Sequence, residues 1–391
     1  DIVNCDLDDV GSYGIISYWS TLTVSGTDIN DATWGMYLYR NAVGSSVTGG
    51  KVGNTTDNGI YVYLSQLTIS NMEVHDSTNN GIYIYRTSGT TVSNVLVEGA
   101  AVGAFVRDTS STLNGLTVVG GTTHGVQFSG GAATMNGFSI DTSGNAITVE
   151  SNGDMAAYNG TITSSTIRDV NVGSAGEAEI TNTSISSSQV AGAGSALRVY
   201  WYVDILGRWQ DGTPIASGVY TVVDQASATV ASGTMDGSGM AHWLRVREFE
   251  TTSTSTTTDT PHTFTVTMGG LNGLTAATID ASQTVTVTVT DNVAPAGYVM
   301  NAEPAYTQGT VNQVSWTAGA DVGVGGIEYD CQMATDAGFA AVVYSSGWTP
   351  STTYTFIGLV DGTTYHYRVQ ARDGVGNVGV WSGGVFSTQD S

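Results

Sequence analysis

The sequence predicts an all-β chain, a long β-solenoid followed by two β-sandwich units. Three observations carry this. Thr, Ser, Val and Gly dominate the composition, and no apolar run recurs at helical spacing. A short pattern returns every 21–23 residues through the first half of the chain. The second half carries alternating runs closed by turn signals, at the spacing of sandwich strands. With 391 residues, 40% of them hydrophobic, there is material for two or three domains and a real core.

The repeat reads apolar, a small polar residue, Asn or Gly, two variable positions, then Val or Ile. It stands as IVNCDL at 2, VSGTDI at 24, VTGGKV at 47, ISNMEV at 69 and VSNVLV at 92. It continues as LNGLTV at 113, MNGFSI at 135, YNGTIT at 158 and ITNTSI at 180. A second pattern runs in register with it: GIISYW at 14, GMYLYR at 35, GIYVYL at 59, GIYIYR at 81, GAFVRD at 103 and GVQFSG at 125. Each period holds two or three short alternating strands and leaves no stretch long enough for a helix. Coiling the chain so that each turn stacks on the next at roughly 4.8 Å solves that geometry. The Leu-x-x-Leu-x-Leu frame of leucine-rich repeats is absent. Residues 1–195 therefore resemble the right-handed parallel β-helix family, the fold of pectate-lyase-like proteins and many archaeal and bacterial surface proteins. About nine rungs are expected, and the resemblance implies a fold without implying an activity.

Strand pleating assigns the faces. Ile82 and Ile84 point inward, with Tyr83 and Tyr85 outward. The inward column also takes Met36, Leu38, Ile60, Val62, Ala104, Val106, Val126 and Phe128. One outward row reads Tyr37, Tyr61, Tyr83, Phe105 and its neighbour Tyr18, Tyr39, Tyr63, Tyr85. These eight aromatics predict a flat, solvent-facing patch, either a ladder stiffening the solenoid or a contact face. Asn71, Asn94 and Asn182 share one turn position with Gly26, Gly49, Gly115, Gly137 and Gly160, since Asn and Gly both tolerate positive φ.

Residues 196–290 hold Leu197-Arg198-Val199-Tyr200-Trp201-Tyr202-Val203, two Asp-Gly turns and the run TVTVTVT at 284. The layout resembles the carboxypeptidase-regulatory-like, transthyretin-like modules, an Ig-like sandwich that usually acts as a spacer. Asp291-Asn292-Val293-Ala294-Pro295 reads as a linker. Residues 291–391 carry Val314-Ser315-Trp316, Gly358-Leu359, Thr364-Tyr365-His366-Tyr367 and Arg372-Asp373-Gly374-Val375-Gly376-Asn377. This resembles a fibronectin type III domain, which implies Trp316 as core tryptophan, Tyr365 as the tyrosine-corner residue, and a secreted or cell-surface protein.

The net charge is −23, with Lys51 the sole lysine. Such a surface repels nucleic acid and anionic lipid and favours cations. No 18-residue apolar stretch or basic signal segment occurs, so the chain reads as mature, trimmed or an excerpt. Cys5 and Cys331 read as unpaired, packed thiols.

No nucleophile elbow, P-loop or zinc spacing is present. For polyuronate cleavage the solenoid offers only Lys51, Arg40, Arg86, Arg107 and Arg168 as cations. Asp108 and Glu150 are the carboxylates for a hydrolase reading, and near-constant rung length leaves no long loops to wall a cleft. A non-catalytic chain is expected. Asp6 and Asp9 align with Asp28 and Asp31 in the next rung. That row either binds calcium, whose oxygen chemistry it suits, or is a solvated turn row. No cofactor is otherwise required. The sequons at Asn54, Asn159 and Asn182 fit a glycosylated surface protein. The expectation is an extracellular structural or adhesive protein, a subunit of a surface layer, filament or cell-wall assembly, partnered by itself or other surface proteins. The alternative is a carbohydrate-binding or carbohydrate-cleaving β-helix with accessory modules.

Overall fold

The computed structural model describes residues 1–390, and all of its regular structure is β-strand. The N-terminal half is a β-solenoid of about nine turns with three strands per turn. On the first face every strand pairs in parallel with its counterpart one turn on. One inward column runs unbroken through Ile2, Val24, Val47, Ile69, Val92, Leu113, Met135, Ala157, Ile180 and Val199. The second face stacks eight short strands from Asp6–Leu7 to Thr161–Thr163. The third face begins with Gly11–Tyr18, Ala32–Tyr39, Ile60–Tyr63, Asn80–Tyr85 and Val102–Arg107. Ile82 and Ile84 are buried completely, as are Met36, Leu38, Ile60, Val62 and Ala104.

Three corners close each turn, and most carry one residue with positive φ. The first corner holds Asn4, Gly26, Gly49, Asn71, Asn94, Gly115, Gly137, Asn159 and Asn182. This corrects the expected alignment by one residue near its end. Asn159, at φ 54°, takes the place given to Gly160, because Met135 pairs with Ala157 rather than Tyr158. Asn and Gly tolerate this conformation almost equally, so the dipeptide Asn-Gly reads in either register. Gly160 is small for another reason: a Cβ there would lie 2.1 Å from the Phe138 ring. Side-chain amides tie neighbouring rungs at this corner, with Asn182 Nδ2 donating to Asn159 Oδ1 at 2.8 Å.

A glycine column at Gly14, Gly35, Gly59, Gly81, Gly103 and Gly125 leads into the third face. A Cβ on Gly81 would sit 2.2 Å from Val97 Cγ1 and 2.8 Å from the Gly103 carbonyl oxygen. The chain passes too close to the next rung there to carry any side chain.

The parallel register does not stop at residue 195. The strand Ala196–Trp209 pairs with Glu177–Thr181 as a further solenoid strand, through Thr181 opposite Tyr200. From Ala196 to Leu206 it also pairs antiparallel with Met240–Thr252, and from Val203 to Trp209 it pairs parallel with Gln283–Val289. A four-stranded antiparallel sheet, Thr229–Thr234, Val219–Val223, His262–Met268 and Leu271–Ala277, completes the middle unit. One apolar cluster runs from the solenoid through Trp201, Ile205, Phe264 and Val287.

The C-terminal unit has its own core around Trp316, Tyr329, Cys331, Phe356 and Tyr367. It pairs a five-stranded sheet with a two-stranded antiparallel sheet, Val311–Ser315 and Thr353–Ile357. Trp316 is buried, and the Tyr365 hydroxyl accepts the Val360 N–H at 3.1 Å, the contact expected of a tyrosine corner. Cys5 and Cys331 are both free, and burial pushes the Cys331 thiol up.

Candidate functional site

The third solenoid face carries the aromatic rows. Because successive strands pair residue for residue, each outward tyrosine sits above another tyrosine. Tyr37 opposes Tyr61, Tyr61 opposes Tyr83, and Tyr83 opposes Phe105. Ring centroids in that column are 5.1, 5.0 and 4.9 Å apart, and the Tyr83–Phe105 pair is stacked at 6°. The neighbouring column, Tyr18, Tyr39, Tyr63 and Tyr85, steps by 5.6, 5.2 and 5.1 Å. Tyr61–Tyr63 and Tyr83–Tyr85 stack across the columns.

The patch is larger and less uniformly open than the sequence implied. Trp34 packs on Tyr37 and Tyr61, and Tyr13 and Trp19 extend the cluster. Tyr13 and Trp34 share the position just before the motif glycine and pair across one turn, and Trp19 is the motif's last residue in the first turn. None of the three positions is aromatic in the later turns, so the periodicity did not single them out. Tyr61, expected in water, is only 9% exposed, because Trp34, Tyr37, Tyr63 and Tyr83 surround it. Burial pushes the Tyr37, Tyr61 and Tyr83 hydroxyls above the ordinary tyrosine range, Tyr83 against the pull of Arg107. The rings open to solvent at the first rungs, where Tyr18 is 51% and Trp19 67% exposed.

Three of the solenoid's arginines border this face. Arg40 lies 4.3 Å over the Trp19 ring and 5.3 Å over Tyr39. Arg86 and Arg107 lie 5.0 and 5.3 Å over Tyr85. Arg40 and Arg86 occupy a third positive-φ corner together with Trp19, Leu64 and Asp108. Asp108 lies 3.9 Å from Arg86 and 3.8 Å from Arg107, and Glu150 accepts a hydrogen bond from Gln127 at 2.8 Å.

The acidic row of the first rungs has a conformational origin. Asp9 and Asp31 sit at the second corner with φ of 52° and 55°, in column with Asn54 and Asp76. Asp6 opposes Asp28, whose Oδ1 accepts the Lys51 backbone N–H at 2.8 Å. No three of Asp6, Asp9, Asp28 and Asp31 bring oxygens within 4.8 Å of one another. Among the described residues, one group of three possible ligands does converge in this way, and it lies elsewhere: Asp291, Asp321 and Asp373. Of the sequons, Asn54 is exposed at its corner, whereas Asn159 and Asn182 bond to each other and Asn182 also accepts from Ser282 at 2.7 Å.

Residues 1–140 match the family model described as the right handed beta helix region. No curated protein matches the chain. Among solved structures, the sixth fibronectin type III domain of human fibronectin type III domain containing protein 3 is 30% identical, covering 25% of this chain and 82% of its own at TM-score 0.19. The fibronectin(III)-like modules of CbhA from Clostridium thermocellum match at 14% identity over 46% of this chain and 80% of theirs, TM-score 0.19. A beta-1,2-glucanase from Parabacteroides distasonis matches at 14% over 45% of this chain and 26% of its own, again at 0.19. None of these superpositions is close. The family match over residues 1–140 and the three-face stacking agree on the fold: the N-terminal half of the chain is a parallel β-solenoid, similar to the right handed beta helix region.

Proposed function

We propose that the chain is a non-catalytic, extracellular structural or adhesive protein, a subunit of a surface layer, filament or cell-wall assembly, and that the aromatic face seats a second copy. The observation that carries this is the pair of aromatic columns on an outward sheet. A contiguous aromatic surface of this extent favours a contact role over a bare one. Tyrosine suits it, offering a broad ring to bury and a hydroxyl that tolerates water. The occupant follows from charge. Arg40, Arg86 and Arg107 fringe the face, while the chain as a whole carries −23. Another copy therefore brings the acidic surface that this fringe attracts. The non-catalytic reading draws support from the same arginines, which lie over tyrosine rings or beside Asp108.

The test is replacement of Tyr39, Tyr63 and Tyr85 by Ser, followed by sedimentation and electron microscopy. The triple variant is expected to remain folded and to sediment as a monomer under conditions where the parent assembles. Assembly that survives the triple change refutes the contact. A parent that stays monomeric and binds oligosaccharides through these tyrosines refutes it too, and places the chain with carbohydrate-binding proteins.

A further inference from the structure

The three carboxylates that converge lie where the middle and C-terminal units meet. Asp291 follows the last strand of the middle unit, Gln283–Val289. Asp321 lies in the connection between Val311–Ser315 and Glu328–Ala334, and Asp373 directly follows Thr364–Arg372. Each contributes one oxygen to a cluster in which all three lie within 4.8 Å of one another. Asp291 and Asp373 are each only 3% exposed.

Backbone donors already fix two of the three. Asp373 Oδ1 accepts the N–H groups of Val375, Gly376 and Asn377 at 3.0, 2.7 and 2.8 Å. Asp291 Oδ2 accepts the Val324 N–H at 3.0 Å and Oδ1 the Val293 N–H at 3.2 Å. The main-chain carbonyl of Asp291 is gripped from both units, by Gln210 and Asn377 amides at 3.2 Å each. Gly323 is forced at this point, since a Cβ would fall 1.6 Å from Asp291 Oδ2.

Asp321 differs. Its Oδ2 accepts the Gly323 N–H at 3.2 Å, but its Oδ1 is wholly buried and has no hydrogen-bond partner. An enclosed carboxylate oxygen without a donor is destabilising, because the hydrogen bonds it would make to water are lost and not replaced. Two further carboxylates beside it add to that cost. No ion pair among the described residues neutralises any of the three, and Arg372, next to Asp373, is turned to Glu328 at 2.7 Å. Asp291 and Asp373 are buried, and Asp321 is partly buried with its Oδ1 enclosed. Carboxylates withdrawn from water in this way are paired or hold a metal.

We propose that Asp291, Asp321 and Asp373 form a divalent-cation site, for calcium, that clamps the C-terminal unit onto the middle one. The donors are all hard oxygens, which selects calcium or magnesium over softer metals. Calcium–oxygen bonds of about 2.3–2.6 Å place opposed ligands about 5 Å apart, a span that accommodates this cluster. The cation would supply the missing partner of Asp321 Oδ1 and cancel charge from both sides of the junction. The site is independent of the aromatic face and of the acidic row on the first rungs.

Full-length chain stripped with EDTA and titrated with calcium chloride is expected to bind one ion tightly, and its unfolding midpoint to rise by about 5 °C or more at saturating calcium. Asp321→Asn keeps the shape and removes charge. It should weaken that binding at least about tenfold and abolish the calcium-dependent rise, while raising the midpoint of the stripped protein. The double variant Asp6→Asn, Asp28→Asn should leave both effects intact. Crystals grown with terbium chloride should show an anomalous peak among the three aspartates, which tests the site even if Asp321→Asn does not fold. No calcium-dependent rise, binding unchanged by Asp321→Asn, or a peak only at the first rungs overturns the proposal.

Discussion

Adding one methyl group at Gly81 is expected to damage the solenoid more than its size suggests. The new Cβ would lie 2.2 Å from Val97 Cγ1, 3.3 Å from Val97 Cβ and 2.8 Å from the Gly103 carbonyl oxygen. Val97 is wholly buried, so its side chain has no empty space to turn into. The carbonyl belongs to the backbone of the next rung and can yield only by opening the stack. Overpacking of this kind costs about 1–3 kcal/mol, and the backbone contact places Gly81→Ala at the upper end. Gly81 does not lie at positive φ, so the penalty is steric alone. Gly383→Ala, with nothing within 4 Å of its Cβ, is the matched control and should be near neutral. Urea unfolding followed by far-UV circular dichroism measures the difference. Near-UV dichroism should also change, because Gly81 sets the position of Tyr83 and Tyr85 two and four residues on. The double variant Gly81→Ala, Val97→Ala should recover only part of the loss, since the carbonyl clash remains. If Gly81→Ala unfolds within about 0.5 kcal/mol of the parent, the glycine column is not a packing requirement.

Three further outcomes are expected. His262 is fully buried with neither ring nitrogen hydrogen-bonded, and burial holds its pKa below the ordinary histidine value. The unfolded chain therefore takes up a proton first, so stability should be lost as pH falls below about 6.5, and His262→Leu should flatten that slope in pH-dependent melts. A slope unchanged by the substitution would assign the titration elsewhere. Arg247→Leu leaves Asp259, whose side chain is 8% exposed, without its 2.6 Å partner, and should cost about 3 kcal/mol in chemical unfolding. In a glycosylating host, mass spectrometry should find sugar at Asn54 in preference to Asn159 and Asn182, because only the latter two amides are engaged in hydrogen bonds with each other.

The solenoid was legible because its period is enforced twice, by the inward apolar column and by the corner conformation. The Val24-to-Val199 column and the Asn and Gly corners are the same constraint seen from two sides. The slip at Asn159 marks where that redundancy fails, since either residue of Asn-Gly satisfies the corner. The aromatic columns were legible for the same periodic reason, and Tyr13, Trp19 and Trp34 escaped because their positions are aromatic only in the first one or two turns. The aspartates of the first rungs drew attention as a row, yet Asp9 and Asp31 are there for their backbone conformation. Asp291, Asp321 and Asp373 gave no local signal at all. They are far apart in the chain and meet only through the topology of two packed units, which no spacing rule encodes. Likewise the smooth run from solenoid to middle unit is hidden, because Leu197, Val199, Trp201 and Val203 alternate as any strand would.

That run bears on how the molecule transmits force. The strand Ala196–Trp209 is at once the last rung of the stack and a central strand of the next sheet. Tension applied along the chain at this point meets no slack tether that could lengthen first. It loads a row of backbone hydrogen bonds side by side, so that many must break together. The N-terminal and middle parts should then extend as one stiff rod and yield in a single event, with any compliance displaced to the second junction, beyond Val289.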